Sequence, residues 1–240
     1  MSSTNLMRGS WRHLTFFNYE VENSLLEPHL PVGAEIDLFN GKVYLSLVGL
    51  MFENLKILEV DNPLHTSFEQ VNLRFYVRYP GDHGWDHGVV FLDEIVPEPL
   101  MAAGARLLAG EPYRATKMRH HVEMPLEDPA ANGTIEYSWQ NGDEWCHMRA
   151  VTTGAPRQMN AGSKEEFLAH RLWGYSGRNE APPQAYHVEH PRWRYWPVGM
   201  ANLECDVAST FGRQYVGYIK PVPDLAFVAE GSEVEMLVGR

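Results

Sequence analysis

Five polar side chains of the sequence have the types and spacing that a ligand-binding site requires. Between residues 70 and 78 the segment QVNLRFYVR alternates polar and apolar residues, which is typical of a β-strand. An arginine on such a strand can hold a carboxylate through two parallel charge-assisted hydrogen bonds. We predict that the polar face lines a cavity, and that Tyr113 either donates a phenolic hydrogen bond into it or packs beside it with its hydroxyl at the rim. The predicted ligand-binding residues are Gln70, Asn72, Arg74, Tyr76 and Tyr113.

The same polar row has an alternative, purely structural interpretation. Buried polar groups must be hydrogen-bonded, so Asn72 and Arg74 could serve only to connect neighbouring strands. The charge of Arg74 could also be neutralised inside the protein by Glu69 or Glu94. In either case the opposite face of the strand should be buried against a helix or a second sheet, because it is apolar. Its residues are Val71, Leu73 and Phe75.

The rest of the sequence predicts a mainly β fold of the α+β class with a few short helices. Asn-Gly pairs at 40–41 and 141–142 predict tight hairpin turns, because both residue types tolerate positive φ angles. Ser163, with Glu166 three residues later, has the spacing of a helix capping box. We predict strands at 11–21, 35–39, 42–51, 70–78, 89–95, 134–139, 144–151 and 186–198, a loop at 79–88, and helices after residue 23, over 97–110 and after residue 163.

Composition limits the classes of partner. The 240 residues, of which 44% are hydrophobic, predict a single domain over 1–240. A formal charge of −11 opposes binding to nucleic-acid phosphates. No apolar run reaches the roughly 18 residues of a membrane span, and we expect a soluble cytoplasmic protein without membrane association. Homo-oligomerisation is compatible with the sequence.

Other reactive residues give weaker patterns. The segment DHGWDH at 82–87 and the pair His120-His121 contain metal-ligand types, but their spacing is unlike a compact metal signature, so we predict no metal and no cofactor. Lys117 could form a Schiff base only if its pKa were lowered, and an exposed lysine in a basic run is the favoured interpretation. His190 could act as a general base, but no nucleophile motif accompanies it. Cys146 and Cys205 are interpreted as buried thiols rather than as a disulfide.

Several motifs resemble those of the YqjF-like family, a set of uncharacterised bacterial proteins (domain of unknown function 2071). This resemblance implies an acetoacetate decarboxylase-like fold, which is a closed or cone-shaped antiparallel β-barrel with a central cavity. The motifs are F-x-x-x-N-x-R-x-Y-V over 68–77, G-V-x-F-L over 88–92, G-x-P-Y over 110–113, Trp11, L-P-x-G over 30–33, D-x-F-x-G-K over 37–42 and H-P-x-W over 190–193.

The resemblance also shapes the functional prediction. In the decarboxylase relatives a Schiff-base lysine occupies the turn after the helix, and a glutamate on the polar strand assists it. Tyr113 stands at the lysine position here, and Gln70 stands where the family usually has glutamate. We therefore predict a protein that binds a small anionic or carbonyl-containing molecule in the barrel. A decarboxylase or lyase acting on an oxo acid and a non-catalytic interaction scaffold are the alternatives, so whether the protein is an enzyme stays open.

Overall fold

A computed structural model describes residues 4–57, 60–61, 67–99, 102, 112–125, 131–176 and 183–238. Most of these residues form β-strands, and the described helices are short. None of the described helices has the length and apolarity that crossing a membrane requires. The strands are β1 (Thr4–Val21), β2 (Glu35–Ile36), β3 (Val43–Ile57), β4 (Val60–Asp61), β5 (Phe68–Gly81), β6 (Gly84–Val96), β7 (Tyr113–Ala115), β8 (Met118–Glu123), β9 (Thr134–Asn141), β10 (Glu144–Thr152), β11 (Arg157–Gln158), β12 (Trp173–Ser176), β13 (Gln184–Glu189), β14 (Arg194–Glu204) and β15 (Leu225–Val238). The α-helices are α1 (Asn23–Leu26), α2 (Lys164–Ala169) and α3 (Val207–Thr210), and 3-10 turns lie at Glu27–His29 and Arg213–Tyr215.

Seven strands close into a barrel in the order β1, β3, β5, β6, β12, β13 and β15. The ring is completed by β15, which pairs with β1 from Thr4↔Val238 to Asn18↔Leu225. All neighbours in the ring are antiparallel except β6 and β12, which are parallel. Closure leaves no strand edge in the ring, so both faces of each strand must be filled or must border an internal space.

A second sheet covers the outside of the barrel. It contains β8, β9, β10 and β14, and β14 also pairs with β15 of the ring. The outer face of β5 is buried in the core between the two layers, and Leu73 is only 1% exposed. The prediction that this apolar face is buried is thus confirmed for all three residues, Val71, Leu73 and Phe75.

Several local predictions are confirmed. The Asn40-Gly41 turn has φ angles of 51° and 78°, as the Asn-Gly pair predicts. β9 and β10 form the predicted hairpin with a turn at Gly142. The hydroxyl of Ser163 accepts a hydrogen bond from the backbone N–H of Glu166 and caps α2. The Glu166 side chain reaches back to the N–H of Gly162 rather than to that of Ser163.

Several boundaries differ from the sequence-based expectation; for example, the strand predicted at 186–198 is divided between β13 and β14. The segment 79–88 is a hairpin and not a loop, because β5 and β6 remain paired as far as Gly81↔Gly84. The strand predicted at 35–39 is shorter than expected. It is β2, which covers only Glu35–Ile36 and pairs with β5. β1 begins at Thr4, well before Trp11. Most of the predicted helix over 97–110 lies outside the described residues. Within the described part, the Ala102 N–H donates to the Glu98 carbonyl, which is the hydrogen bond of a helical turn.

The expectation of two separate thiols is wrong. Cys146 and Cys205 form a disulfide, and their Cα atoms are 4.5 Å apart. The cause is strand register, since β10 pairs with β14 at His147↔Glu204 and the cysteines are the next residues outward. A sequence separation of 59 residues gave no indication of this pairing.

Replacement of Leu73 by alanine should destabilise the fold strongly. The side chain is enclosed between the barrel and the outer sheet, so its loss leaves a cavity and costs about 2–5 kcal/mol. The free energy of unfolding in urea measures this change. Leu38→Ala is the control, because Leu38 is 45% exposed and its truncation should cost less than about 0.5 kcal/mol. Equal effects of the two substitutions would contradict the two-layer packing.

Candidate ligand-binding site

The inside of the barrel contains a cavity of about 200 Å³. Its polar wall comes from β5 and the neighbouring strands, and the rest of its surface is apolar or aromatic. The polar and ionisable residues that line it are Gln70, Asn72, Arg74, Glu94, Tyr113, Arg171 and His190.

Four of the five residues predicted from the sequence line this cavity, and Tyr76 does not. The Tyr76 hydroxyl is 2.6 Å from the Ser46 hydroxyl, which donates to the Asn18 side chain at 2.6 Å. This buried chain connects β5, β3 and β1. The Tyr76 ring lies near the Arg74 guanidinium, with 5.9 Å between ring centroid and Cζ, so it packs against the arginine from within the core.

Arg74 is buried, with 7% of its surface exposed. Its Nη2 donates to the backbone carbonyl of Leu168 at 3.0 Å, while its buried Nε has no hydrogen-bond partner among the described residues. The guanidinium also lies 5.1 Å from the centroid of the Phe16 ring. Within the described chain no carboxylate forms an ion pair with Arg74, because Glu69 pairs with His120 and Glu94 bonds to Gln70.

A second polar group lies beside Arg74 on the same strand face. Gln70 donates to the Glu94 carboxylate at 2.5 Å, and its side-chain nitrogen is 3.4 Å from the Tyr113 hydroxyl. Asn72 lies between Gln70 and Arg74 along β5 and is 2% exposed, and its buried Oδ1 has no partner in the described part of the chain. The cavity therefore offers an amide, a phenol and a carboxylate next to an arginine.

Glu94 faces the cavity because of a β-bulge in β6. Leu73 pairs with Asp93, but Arg74 pairs with Phe91, so β6 has one extra residue at this point. The extra residue shifts the alternation of the strand, so that positions 89, 91 and 94 line the cavity. Strict alternation from Val89 would have turned Asp93 inward instead of Glu94. Asp93 instead pairs with Arg114 at 2.8 Å on the other face.

Arg171 is the second arginine of the cavity, and sequence analysis missed it. It follows α2 in an irregular segment, so no periodic pattern marked it. Unlike Arg74, it has a carboxylate partner, since its Nη1 lies 2.6 Å from an Asp37 oxygen that also contacts His87. Burial lowers the pKa of Arg171, and the charge of Asp37 opposes this shift.

His190 lines the cavity in the segment between β13 and β14. Its ring stacks on Trp193 with a centroid distance of 4.2 Å. Burial lowers the pKa of His190 to about 4, and the nearby charge of Arg74 is a smaller contribution in the same direction. The imidazole is therefore neutral near pH 7.

Comparison with known proteins identifies the family of the chain. A family model described as an uncharacterized conserved protein, DUF2071, matches residues 8–233. The chain belongs to the DUF2071 family. The uncharacterized protein YqjF from Bacillus subtilis (strain 168) is 30% identical over 115 residues, which span 48% of this chain and 46% of YqjF.

Solved structures show that this DUF2071 protein has an acetoacetate decarboxylase-like fold. The enduracididine biosynthesis enzyme MppR aligns with a TM-score of 0.69 and 13% identity, over 98% of this chain and 87% of MppR. Acetoacetate decarboxylase from Legionella pneumophila aligns with a TM-score of 0.65 and 16% identity, over 98% and 87% of the two chains. An acetoacetate decarboxylase-like enzyme from Sphingomonas wittichii RW1 has a TM-score of 0.64 and 13% identity, over 98% and 92%.

The remaining candidates from the sequence lie away from the cavity of the DUF2071 protein. Lys117 is exposed, and none of the five lysines of the sequence lines the cavity. In the 82–87 segment, His87 contacts Asp37 at 2.6 Å, while Asp82 lies in the exposed turn. Across the described ranges, no group of three His, Cys, Asp or Glu side chains could hold a metal ion.

The free energy of unfolding should decrease as the pH falls from about 6.5 to about 4. In that range the unfolded chain binds a proton at His190, but the folded protein does not. His190→Gln should reduce this pH dependence, which urea titrations at a series of pH values would measure. Burial also lowers the pKa of His13 and His170, so part of the dependence remains. His121→Gln, at an exposed position, should leave it unchanged; equal slopes for wild type and His190→Gln would contradict the assignment.

Proposed function

We propose that the protein binds a small carboxylate or a related carbonyl-bearing anion in the barrel cavity, with Arg74 as the main anchor. The observation that carries this proposal is the burial of Arg74 without a described carboxylate partner. A buried charge is costly unless it is paired, and one neutral carbonyl compensates only part of that cost. A ligand carboxylate would supply the missing negative charge.

The surroundings of Arg74 support an anionic ligand over a neutral one. The charge of Arg171, the other arginine of the lining, is already neutralised by Asp37, and the neutral imidazole of His190 adds no charge, so Arg74 is left as the positive group of the lining without a described carboxylate partner. Asn72 and Tyr113 add polar groups suited to a carbonyl or carboxylate oxygen. The overall negative charge of the protein opposes this only weakly, because salt screens charges beyond a Debye length of about 8 Å. Among the structural relatives, MppR has been solved in complex with pyruvate, which is itself a carboxylate.

A lyase or decarboxylase is the second candidate function. It is favoured by Glu94, which the bulge turns into the cavity near Tyr113, because a carboxylate and a phenol can both transfer protons. A Schiff-base mechanism is disfavoured, because no lysine lines the cavity. A scaffold without ligand is also disfavoured, because the aromatic side chains leave the centre of the barrel unfilled.

Small carboxylates should stabilise the wild-type protein against heat and should not stabilise Arg74→Met. A ligand at roughly 100 times its Kd adds about 2.7 kcal/mol to the free energy of unfolding. Thermal unfolding with a panel of small carboxylates measures this effect. Arg78→Met is the matched control, because Arg78 lies on the same strand but pairs with Glu35 at the surface, and it should respond like the wild type. Equal shifts in wild type and Arg74→Met would make Arg74 a structural residue.

Borohydride should not trap a covalent adduct in the presence of 2-oxo or 3-oxo acids. Reduction requires an imine, and the imine requires a lysine amine at the ligand. Mass spectrometry of the treated protein should therefore show the unmodified mass. An adduct that disappears in Lys117→Ala would restore the Schiff-base mechanism and contradict the proposed binding role.

A further inference from the structure

The lining of the cavity combines two chemically different groups of residues, which adjoin each other, since Phe91 is the cross-strand partner of Arg74 and His190 stacks on Trp193. Its polar residues lie on β5 to β7 and in the segments that carry Arg171 and His190. The rest of the lining is apolar, and much of it is aromatic. The aromatic residues of this part, which we term the aromatic wall, are Trp11, Phe52, Phe68, Phe91, Trp173, Tyr186 and Trp193.

Ring contacts hold the aromatic wall together. Phe52 stacks on Phe68 with a centroid distance of 5.2 Å, and Trp11 meets Phe52 edge-on at 5.9 Å. Trp11 also contacts Trp193 edge-on at 6.3 Å. These rings come from β1, β3, β5 and the approach to β14, so the wall is anchored in several strands. Such a surface is preformed for a flat apolar group, because aromatic rings favour stacked and edge-on neighbours.

The volume of the cavity fits one ring in addition to a carboxylate. An apolar cavity of about 150 Å³ is known to hold benzene. The cavity here is about 200 Å³. A small oxo acid such as pyruvate would occupy the polar residues around Arg74 and leave most of the aromatic wall without contacts. A group of two fused rings would exceed the available space.

The arrangement also favours a single negative charge on the ligand. Of the two arginines among the described lining residues, Arg74 lacks a carboxylate partner, whereas Arg171 is already paired with Asp37. A second carboxylate would therefore be desolvated against aromatic rings or would approach Glu94, and both outcomes are unfavourable.

We propose that the ligand is a monocarboxylic acid with a single aromatic ring, bound with its carboxylate at Arg74 and its ring against the aromatic wall. This inference rests on the proposed function, since it takes the carboxylate anchor as given and adds the apolar part of the ligand. The ring displaces the solvent that otherwise contacts the aromatic wall, and binding strength then increases with apolar area, by roughly fourfold per buried methylene group.

Isothermal titration with pyruvate, acetate, benzoate, 1-naphthoate and benzyl alcohol tests the inference. Benzoate should bind at least about tenfold more tightly than pyruvate or acetate, because only its ring contacts the aromatic wall. It should also bind at least about tenfold more tightly than 1-naphthoate, which is too large, and than benzyl alcohol, which lacks the charge that Arg74 recognises.

A substitution of an apolar lining residue separates the effect of ligand size from the effect of ligand charge. Val188 lies on β13 and lines the cavity, so Val188→Phe fills part of the ring space. It should weaken benzoate binding by roughly tenfold while leaving acetate binding within about twofold of the wild type. The same substitution at Val222, which is 65% exposed, is the control and should change neither. If Val188→Phe fails to fold, Phe68→Leu enlarges the same space and should improve 1-naphthoate binding relative to benzoate.

The outcomes distinguish this inference from the proposed function. If pyruvate binds as tightly as benzoate and Arg74→Met abolishes both, the aromatic ligand is wrong and the carboxylate anchor stands. If benzoate binding survives in Arg74→Met, or if benzyl alcohol binds equally well, the anchor fails although the aromatic wall still binds rings. If no carboxylate binds to the wild type, both proposals fail.

Discussion

Closure of the barrel by the β1–β15 pairing is the constraint on which the rest of the structure depends. Once the ring has no free edge, the inner residues of every strand share one enclosed space, and each polar group inside must be satisfied within it. The inner row of β5 meets this condition in two ways. At one end Tyr76 is tied into the Ser46–Asn18 chain, and at the other Gln70 is tied to Glu94. Between them Arg74 donates to the Leu168 carbonyl and lies near the rings of Phe16 and Tyr76.

The two arginines of the cavity are equally buried but differ in whether a carboxylate pairs with them. Arg171 and Asp37 form a buried ion pair that joins the segment after α2 to the segment after β2. Removal of either partner would leave a buried charge, which is costly. Arg74 has no such partner among the described residues, and its position beside empty space concentrates positive potential where a ligand can reach it. The two arginines of one cavity thus differ in the location of the nearest carboxylates.

The sequence predicted those parts of the protein that follow from periodicity and turn chemistry. Alternation identified β5, both of its faces and three of the residues that line the cavity, Gln70, Asn72 and Arg74, whereas Tyr113 was predicted from the G-x-P-Y motif. It could not identify Glu94 as a lining residue, because a one-residue bulge reverses the alternation without leaving a composition signal. Arg171 and the Cys146–Cys205 disulfide depend on contacts between distant segments, which local patterns do not contain. The similarity of motifs supplied the barrel topology, which periodicity alone would have left open.

The two faces of β5 also imply an uneven tolerance to sequence change during evolution. Odd-numbered residues from Val71 to Val77 are densely packed against the outer sheet, so substitutions at these positions should lower the stability of the fold. Even-numbered residues border unfilled volume at three positions, 70, 72 and 74, where a substitution changes the lining of the cavity more than the packing of the core. The two faces of one strand are therefore under different constraints on sequence change. Sequence changes that leave the fold intact should therefore concentrate at the even positions of β5.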